Sequence, residues 1–209
     1  MNPISPLIHL VDDDASVREA LALLIGTVGL RVASWADPQD FMARFDRDAV
    51  GAIVLDMRMP GLSGLAVMHE LGGAGGGQAA VIPTRTGHGS VDMCRRAFKA
   101  GAAEFLEKPV DDELLLGAVQ AAVRAHVALR RQGAAGREAR ERFALLSARE
   151  REVLARVIQG LTSKQIARVL QLSPRTVETH RAHLQDKLQV QTLAQLVRQY
   201  AALVDEGAA

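Results

Sequence analysis

Apolar and polar positions follow two rhythms in the first half of the chain. Short runs at 7 to 11 (L-I-H-L-V), 31 to 35 (R-V-A-S-W), 51 to 55 (G-A-I-V-L), 81 to 85 (V-I-P-T-R) and 103 to 107 (A-E-F-L-E) have the length and apolar content of strands. Between them, stretches at about 15 to 28, 37 to 47, 64 to 72 and 90 to 100, with a longer one starting near 111, have the spacing of amphipathic helices. Five strand–helix repeats predict a doubly wound parallel sheet with helices on both faces. Asp37 followed by Pro38 gives one helix start, an N-cap with proline in the first helical position.

After about residue 110 the strand-like runs stop. Capping boxes at Ser147/Glu150, Thr162/Gln165 and Thr192/Gln195, and the serine cap and proline of Ser173-Pro174, predict four short helices at about 148 to 159, 163 to 170, 174 to 188 and 193 to 204. The expected domains are therefore 1–125 and an all-α 143–209. Between them, residues 126–142 form a linker or an extended helix, charged and interrupted by Gly133 and Gly136.

Charge sharpens this division. Residues 1 to 125 carry 11 Lys and Arg against 16 Asp and Glu, a net −5, and the remainder carries 14 against 8, a net +6. An acidic half joined to a basic half is the balance of a nucleic-acid-binding module attached to something else. No run is long and apolar enough to span a bilayer and the start lacks a leader pattern, so a cytoplasmic protein with no membrane partner is expected. The single cysteine, Cys94, excludes an internal disulfide and a cysteine-cluster metal site. The glycine-rich segment 72 to 77 lacks the Lys-Ser or Lys-Thr of a phosphate loop and reads as a plain loop.

In a parallel α/β sheet, functional groups gather beyond the carboxyl ends of the strands. Here those ends carry Asp12, Asp13 and Asp14, then Asp56, Thr86 and Lys108. Clustered carboxylates repel unless a hard cation neutralises them, and Mg²⁺ suits carboxylate and water oxygens. A carboxylate such as Asp56 can then attack a phosphoryl group, with the Lys108 ammonium and the Thr86 hydroxyl available to its oxygens.

The segments V-D-D-D (11 to 14), V-L-D-M-R-M-P-G-L-S-G (54 to 64), T-G-H-G (86 to 89) and A-F-K-A-G-A-A-E-F-L-E-K-P (97 to 109) resemble a response-regulator receiver domain in order and spacing. The resemblance implies a flavodoxin/CheY-like sheet of order 2-1-3-4-5. It implies that Asp12, Asp13, Asp56 and the Arg58 backbone carbonyl hold Mg²⁺, and that Asp56 accepts phosphate from a sensor histidine kinase. It further implies that Thr86 and Lys108 respond to the phosphate, that Phe105 couples to Thr86, and that the Lys108–Pro109 bond is cis.

In the tail, the predicted helices at 163 to 170 and 174 to 188 are joined by a short turn, a helix-turn-helix spacing. On the second, Val177, Leu184 and Leu188 form a core stripe, with His180 or Arg181 filling the gap. Arg175, Glu178, Thr179 and Ala182 fall on another face. The segments 146 to 154, 163 to 167 and 172 to 188 resemble the LuxR-type helix-turn-helix domain, and with the receiver they place the chain near the NarL/FixJ group of two-component response regulators. That resemblance implies promoter DNA as a partner, with Glu178, Thr179 and Ala182 near base edges and Lys164, Arg175, Thr176, Arg181 and Lys187 at phosphates. It also implies a homodimer seam on the last helix, whose apolar stripe runs through Leu193, Leu196, Val197, Tyr200 and Leu203, and RNA polymerase as a partner if the protein activates. His180 and His183 lack a third ligand and are read as packing or phosphate-contact residues.

Two other functions compete: a regulator that no longer answers to phosphate, and a phosphohydrolase using an aspartyl-phosphate. The second wants an acid two residues after the nucleophile, where Arg58 stands, so no enzyme is expected. The stretch V-I-P-T-R keeps the first open. Pro83 cannot donate to a strand ladder and Arg85 is out of place in a dry sheet, which predicts a short or bulged fourth strand with the Arg85 guanidinium near the rim of the pocket.

Overall fold

The computed structural model describes residues 5–72, 80–85 and 90–206, with the backbone alone for 72, 80–85, 90 and 206. The chain divides into two compact units, Met1–Arg131 and Gln132–Ala209.

The first unit alternates β1 (Leu7–Val11), α1 (Ala15–Thr27), β2 (Arg31–Trp35), α2 (Pro38–Arg44), β3 (Gly51–Leu55), α3 (Gly64–Gly72), β4 (Ala80–Arg85), α4 (Ser90–Lys99) and β5 (Ala102–Lys108), and leads into α5 (Asp112–Ala144). The strands form one parallel sheet in the order β2-β1-β3-β4-β5. Because strand side chains alternate, each central strand feeds two cores. Ile8, Leu10, Ala52 and Val54 pack with Ile25 of α1 and Leu115 and Val119 of α5. Val11, Ile53 and Leu55 pack on the other face with Phe41 of α2, Val67 and Met68 of α3 and Ala97 of α4. Burying each of the large residues stabilises the fold by about 1.5 to 3 kcal/mol.

β4 runs six residues and continues through Pro83, so it is not the short strand expected there, and its one irregularity against β5 precedes the proline. It follows β5 from Ala80 to Arg85 with a register shift between Ala80 and Val81, whereas its register with β3 covers Ile53↔Ala80 and Val54↔Val81 and stops ahead of the proline. The expected position of the Arg85 side chain lies outside the described residues.

The second face also buries a histidine. His9 of β1 is 4% exposed, accepts a hydrogen bond at Nδ1 from Trp35 Nε1 at 3.2 Å, and lies among the rings of Phe41 and Phe45. Its Nε2 is buried without a hydrogen-bond partner. Burial pushes the imidazole pKa below its ordinary value, against the opposing pull of Asp46, so the neutral ring is the folded form.

In the second unit the end of α5 is followed by α6 (Ala148–Ile158), α7 (Ser163–Val169), α8 (Pro174–Leu188) and α9 (Leu193–Glu206). α5 runs unbroken through Gly133 and Gly136, each of which costs a helix about 1 kcal/mol relative to alanine. A Glu138–Arg142 pair at 2.6 Å and the packing of Ala139 and Phe143 on the tail core offset that cost. The tail unit thus takes in helix upstream of residue 143, the limit expected from the sequence.

Ser147, Thr162 and Ser173 cap their helices as the sequence predicts, the first two in full capping boxes. At α9 the box is displaced. Thr192 accepts from the Gln195 N–H at 3.2 Å, but Gln195 Oε1 accepts from the Gln191 N–H, one residue further back. Val177, Leu184 and Leu188 of α8 meet Val153, Leu154, Ile166, Leu196 and Tyr200 in the tail core.

Candidate functional site

The acidic pocket stands at the carboxyl ends of β1, β3 and β5. Asp12 and Asp56 are 2% and 6% exposed, and between them reaches Lys108, whose Nζ lies 2.9 Å from Asp12 Oδ2 and 2.6 Å from Asp56 Oδ1. The remaining oxygens are also held: Asp14 N–H donates to Asp12 Oδ1 at 2.9 Å and Arg58 N–H to Asp56 Oδ2 at 2.8 Å. These groups, with Asp13, Asp14, Val17 and the Arg58 side chain, line an open cavity of about 260 Å³. Asp13 and Arg58 are exposed at its mouth.

Backbone shape brings the Asp56 loop close. Gly61, at φ +82, turns the chain, and Gly64 begins α3 so near Asp56 that a Cβ there would stand 2.4 Å from the Asp56 carbonyl oxygen. The Lys108–Pro109 bond is cis, as the resemblance implies.

The charges in the pocket do not balance. Burial works against the Lys108 charge, but its hydrogen bonds to Asp56 and Asp12 and their attraction outweigh that, leaving its pKa above the ordinary lysine value. One ammonium therefore serves two buried carboxylates, with Asp13 and Asp14 adding negative charge at the rim. Among the described residues no three acidic, histidine or cysteine side chains cluster tightly enough to hold a metal unaided. A cation there would complete its shell with the Arg58 carbonyl and water, which is the habit of Mg²⁺, so the hard-oxygen donor set fits that ion.

Thr86 lies outside the described residues. Phe105 is half-buried against the core beneath α3 and α4, paired in register with Ile82 of β4. Sequence reasoning missed Arg18, whose Nη1 donates to the Asp12 carbonyl at 2.7 Å. A contact from a side chain to a backbone atom leaves no residue-type signature.

On α8, Arg175, Glu178, Thr179 and Ala182 are exposed together, and Lys164 is exposed on α7. Thr179 Oγ1 donates to the Arg175 carbonyl at 3.1 Å, and Thr176 shares a 2.7 Å hydrogen bond with the capping Ser173. His180 and Arg181 are both half-buried, Arg181 reaching to 3.5 Å from Ser163 Oγ, and His183 is exposed. Lys187, expected at a phosphate, is exposed and also forms an ion pair within the tail. Its Nζ lies 2.8 Å from Oε2 of Glu150, a residue only 4% exposed, and 3.4 Å from the Leu145 carbonyl. The hydrogen bond from Lys187, offset in part by burial and reinforced by Ser147, pulls the Glu150 pKa down to about 2. Of the α9 stripe, Leu196 and Tyr200 are buried while Leu193 and Val197 are exposed.

A doubly wound sheet with an under-neutralised acidic pocket, followed by a basic helix-turn-helix unit, defines the class of receiver-controlled DNA-binding proteins. Residues 8–120 match the response regulator receiver domain and residues 144–200 the bacterial regulatory proteins of the luxR family, and the chain belongs to the response regulators that join these two domains. It is 43% identical to the transcriptional regulatory protein FixJ of Azorhizobium caulinodans, over 94% of this chain and 92% of that one. It is 37% identical to the response regulator protein TodT of Pseudomonas putida F1, over 98% of this chain and 89% of that one. Among solved structures it is similar to the response regulator StyR, with a TM-score of 0.83 and 36% identity over 95% of this chain and 99% of that one. Among the described residues no helix is long and apolar enough to cross a membrane.

Proposed function

We propose that this protein is a cytoplasmic transcription regulator whose binding to promoter DNA is controlled by transfer of a phosphoryl group from a sensor histidine kinase to Asp56. The observation that carries the reading is the pocket itself: a buried carboxylate with one oxygen on Lys108 and the other on the Arg58 N–H, beside a second buried carboxylate. Asp56 supplies the attacking oxygen, forming an O–P bond as the bond from phosphorus to its donor breaks. Lys108 moves from the carboxylates to the incoming phosphoryl oxygens. Asp12, Asp13, Asp56 and the Arg58 carbonyl would hold Mg²⁺, which when bound would supply neutralisation of the charge that gathers there. Thr86 and Phe105 carry the change away from the pocket.

In the tail, Lys164 and Arg175, both exposed, take phosphates, with Thr176 and Arg181 beside them. Glu178, Thr179 and Ala182 face base edges; since the Thr179 hydroxyl is bonded within its own helix, its methyl is left for a thymine. Exposed Leu193 and Val197 support a dimer seam on α9, which pairs two α8 helices with two half-sites, and RNA polymerase is a further partner if the protein activates.

The test incubates the protein with acetyl phosphate and Mg²⁺ and measures acyl-phosphate formation and promoter binding, with Asp56→Asn and chelator as controls. Labelling that vanishes in both controls and strengthens DNA binding is the expected result. DNA binding indifferent to labelling identifies a phosphate-independent regulator, which the interrupted β3–β4 register would explain, and rapid multiple turnover identifies a hydrolase.

A further inference from the structure

Asp12 is restrained through every polar group it has. Its N–H donates to the Trp35 carbonyl at 3.2 Å, its Oδ1 accepts from the Asp14 N–H, and its Oδ2 accepts from Lys108. The fourth restraint is the Arg18 guanidinium, 2.7 Å from the Asp12 carbonyl oxygen.

This arginine breaks a local rule. Asp14 caps α1 and its carbonyl accepts from the Arg18 N–H at 3.0 Å, so Arg18 sits in the first turns, where the helix dipole disfavours a cation. Helical side chains lean toward the N-terminus, which carries the guanidinium back over that turn to the loop after β1. Its hydrogen bond there goes to a backbone carbonyl, and not to the neighbouring carboxylates of Asp13 and Asp14. A residue placed against propensity near a pocket calls for a functional explanation.

The Asp12 carbonyl belongs to the peptide plane that leads into Asp13. Holding that oxygen fixes the direction in which Asp13 departs, and with it the separation of the two carboxylates. We propose that Arg18 is a positioning residue of the pocket: by fixing the Asp12–Asp13 peptide plane it presents the two carboxylates as a preformed pair to the divalent cation. This inference rests on the reading of the pocket as an Mg²⁺ site. It differs from an electrostatic role, which has the opposite sign, because removing a nearby cation by itself strengthens cation binding.

The full-length protein and its Arg18→Met, Arg18→Gln and Arg18→Lys variants are titrated with MgCl₂ by calorimetry, with circular dichroism to verify folding. Acetyl phosphate labelling is then followed across Mg²⁺ concentration. Loss of such an outer partner typically weakens metal binding about 10- to 100-fold. Arg18→Met and Arg18→Gln are expected to raise the Mg²⁺ Kd about tenfold while leaving the labelling rate at saturating Mg²⁺ within about twofold of wild type, and Arg18→Lys to recover part of the affinity. Either neutral variant suffices if the other fails to fold. An unchanged or lowered Kd in the folded neutral variants overturns the proposal, as does a labelling rate that excess Mg²⁺ does not restore. If the wild-type protein itself binds no Mg²⁺, both this inference and the reading beneath it fall, an outcome distinguishable because it is seen without any substitution.

Discussion

Each unit of the molecule buries a carboxylate beside a lysine, and the two arrangements differ in their count. In the tail, one glutamate meets one lysine: Glu150 Oε2 accepts from Lys187 at 2.8 Å and from the capped Ser147 N–H at 2.7 Å. In the sheet unit, Lys108 is shared between Asp12 and Asp56. The balanced pair ties the end of α8 to the start of α6 and leaves nothing over. The unbalanced one leaves negative charge that a second cation or a phosphoryl transfer must resolve. Buried charge as such is weak evidence of function, since structural pairs also shift pKa values; what separates these two sites is whether the charges close.

Substitutions on the two sides should therefore differ in kind. The largest effect is expected from Asp12→Asn. It should lower the rate of Asp56 labelling by roughly 100-fold or more, through loss of metal-borne stabilisation, while relief of carboxylate repulsion leaves the melting temperature unchanged or raised. Parallel labelling and calorimetry measure both, and a large fall in melting temperature would erase the contrast. Glu150→Gln should do the reverse. Glutamine can still serve a capping box, so the substitution isolates the ion pair, and its loss is expected to destabilise the tail by about 2 kcal/mol. On a unit of this size that lowers Tm by about 10 °C, with Asp56 labelling unaltered.

The smallest effects come from acid titration. The Glu150 carboxyl, ordinarily near 4.5, is held at about 2 in the folded chain, so below its ordinary value the unfolded chain binds the extra proton. Its stabilisation of the tail is complete above about pH 4.5 and is lost as pH falls through about 2. His9 acts earlier. Its folded pKa is below 6.5, so the sheet unit starts to lose stability once pH drops under 6.5. Denaturant melts across pH should show the sheet unit weakening first, and coincident weakening of the tail would contradict the assignment.

Much of this was legible in the chain. Strand runs, caps and the acidic strand ends depend on residue type at fixed spacing, so they survive without coordinates. The continuity of α5 was left open between a linker and an extended helix, because Gly133 and Gly136 read as interruptions and the packing of Ala139 and Phe143 that holds the helix is tertiary. The ion pair of Lys187 was not legible for the same reason: a basic residue on a DNA-facing element looks free until its partner, 37 residues away in sequence, is known. Arg18 was invisible because its partner is a backbone atom.

The chain contains one tryptophan and one tyrosine. Trp35 belongs to the sheet unit, with its indole bonded to His9, and Tyr200 to the tail, with its hydroxyl donating to the Leu188 carbonyl at 3.0 Å. Each unit thus carries its own fluorophore. Excitation at the red edge of the absorption band follows the sheet unit alone, and protonated imidazole quenches indole emission. The unmodified protein can therefore report which half loosens first, and the acid response of His9 can be read optically without a label.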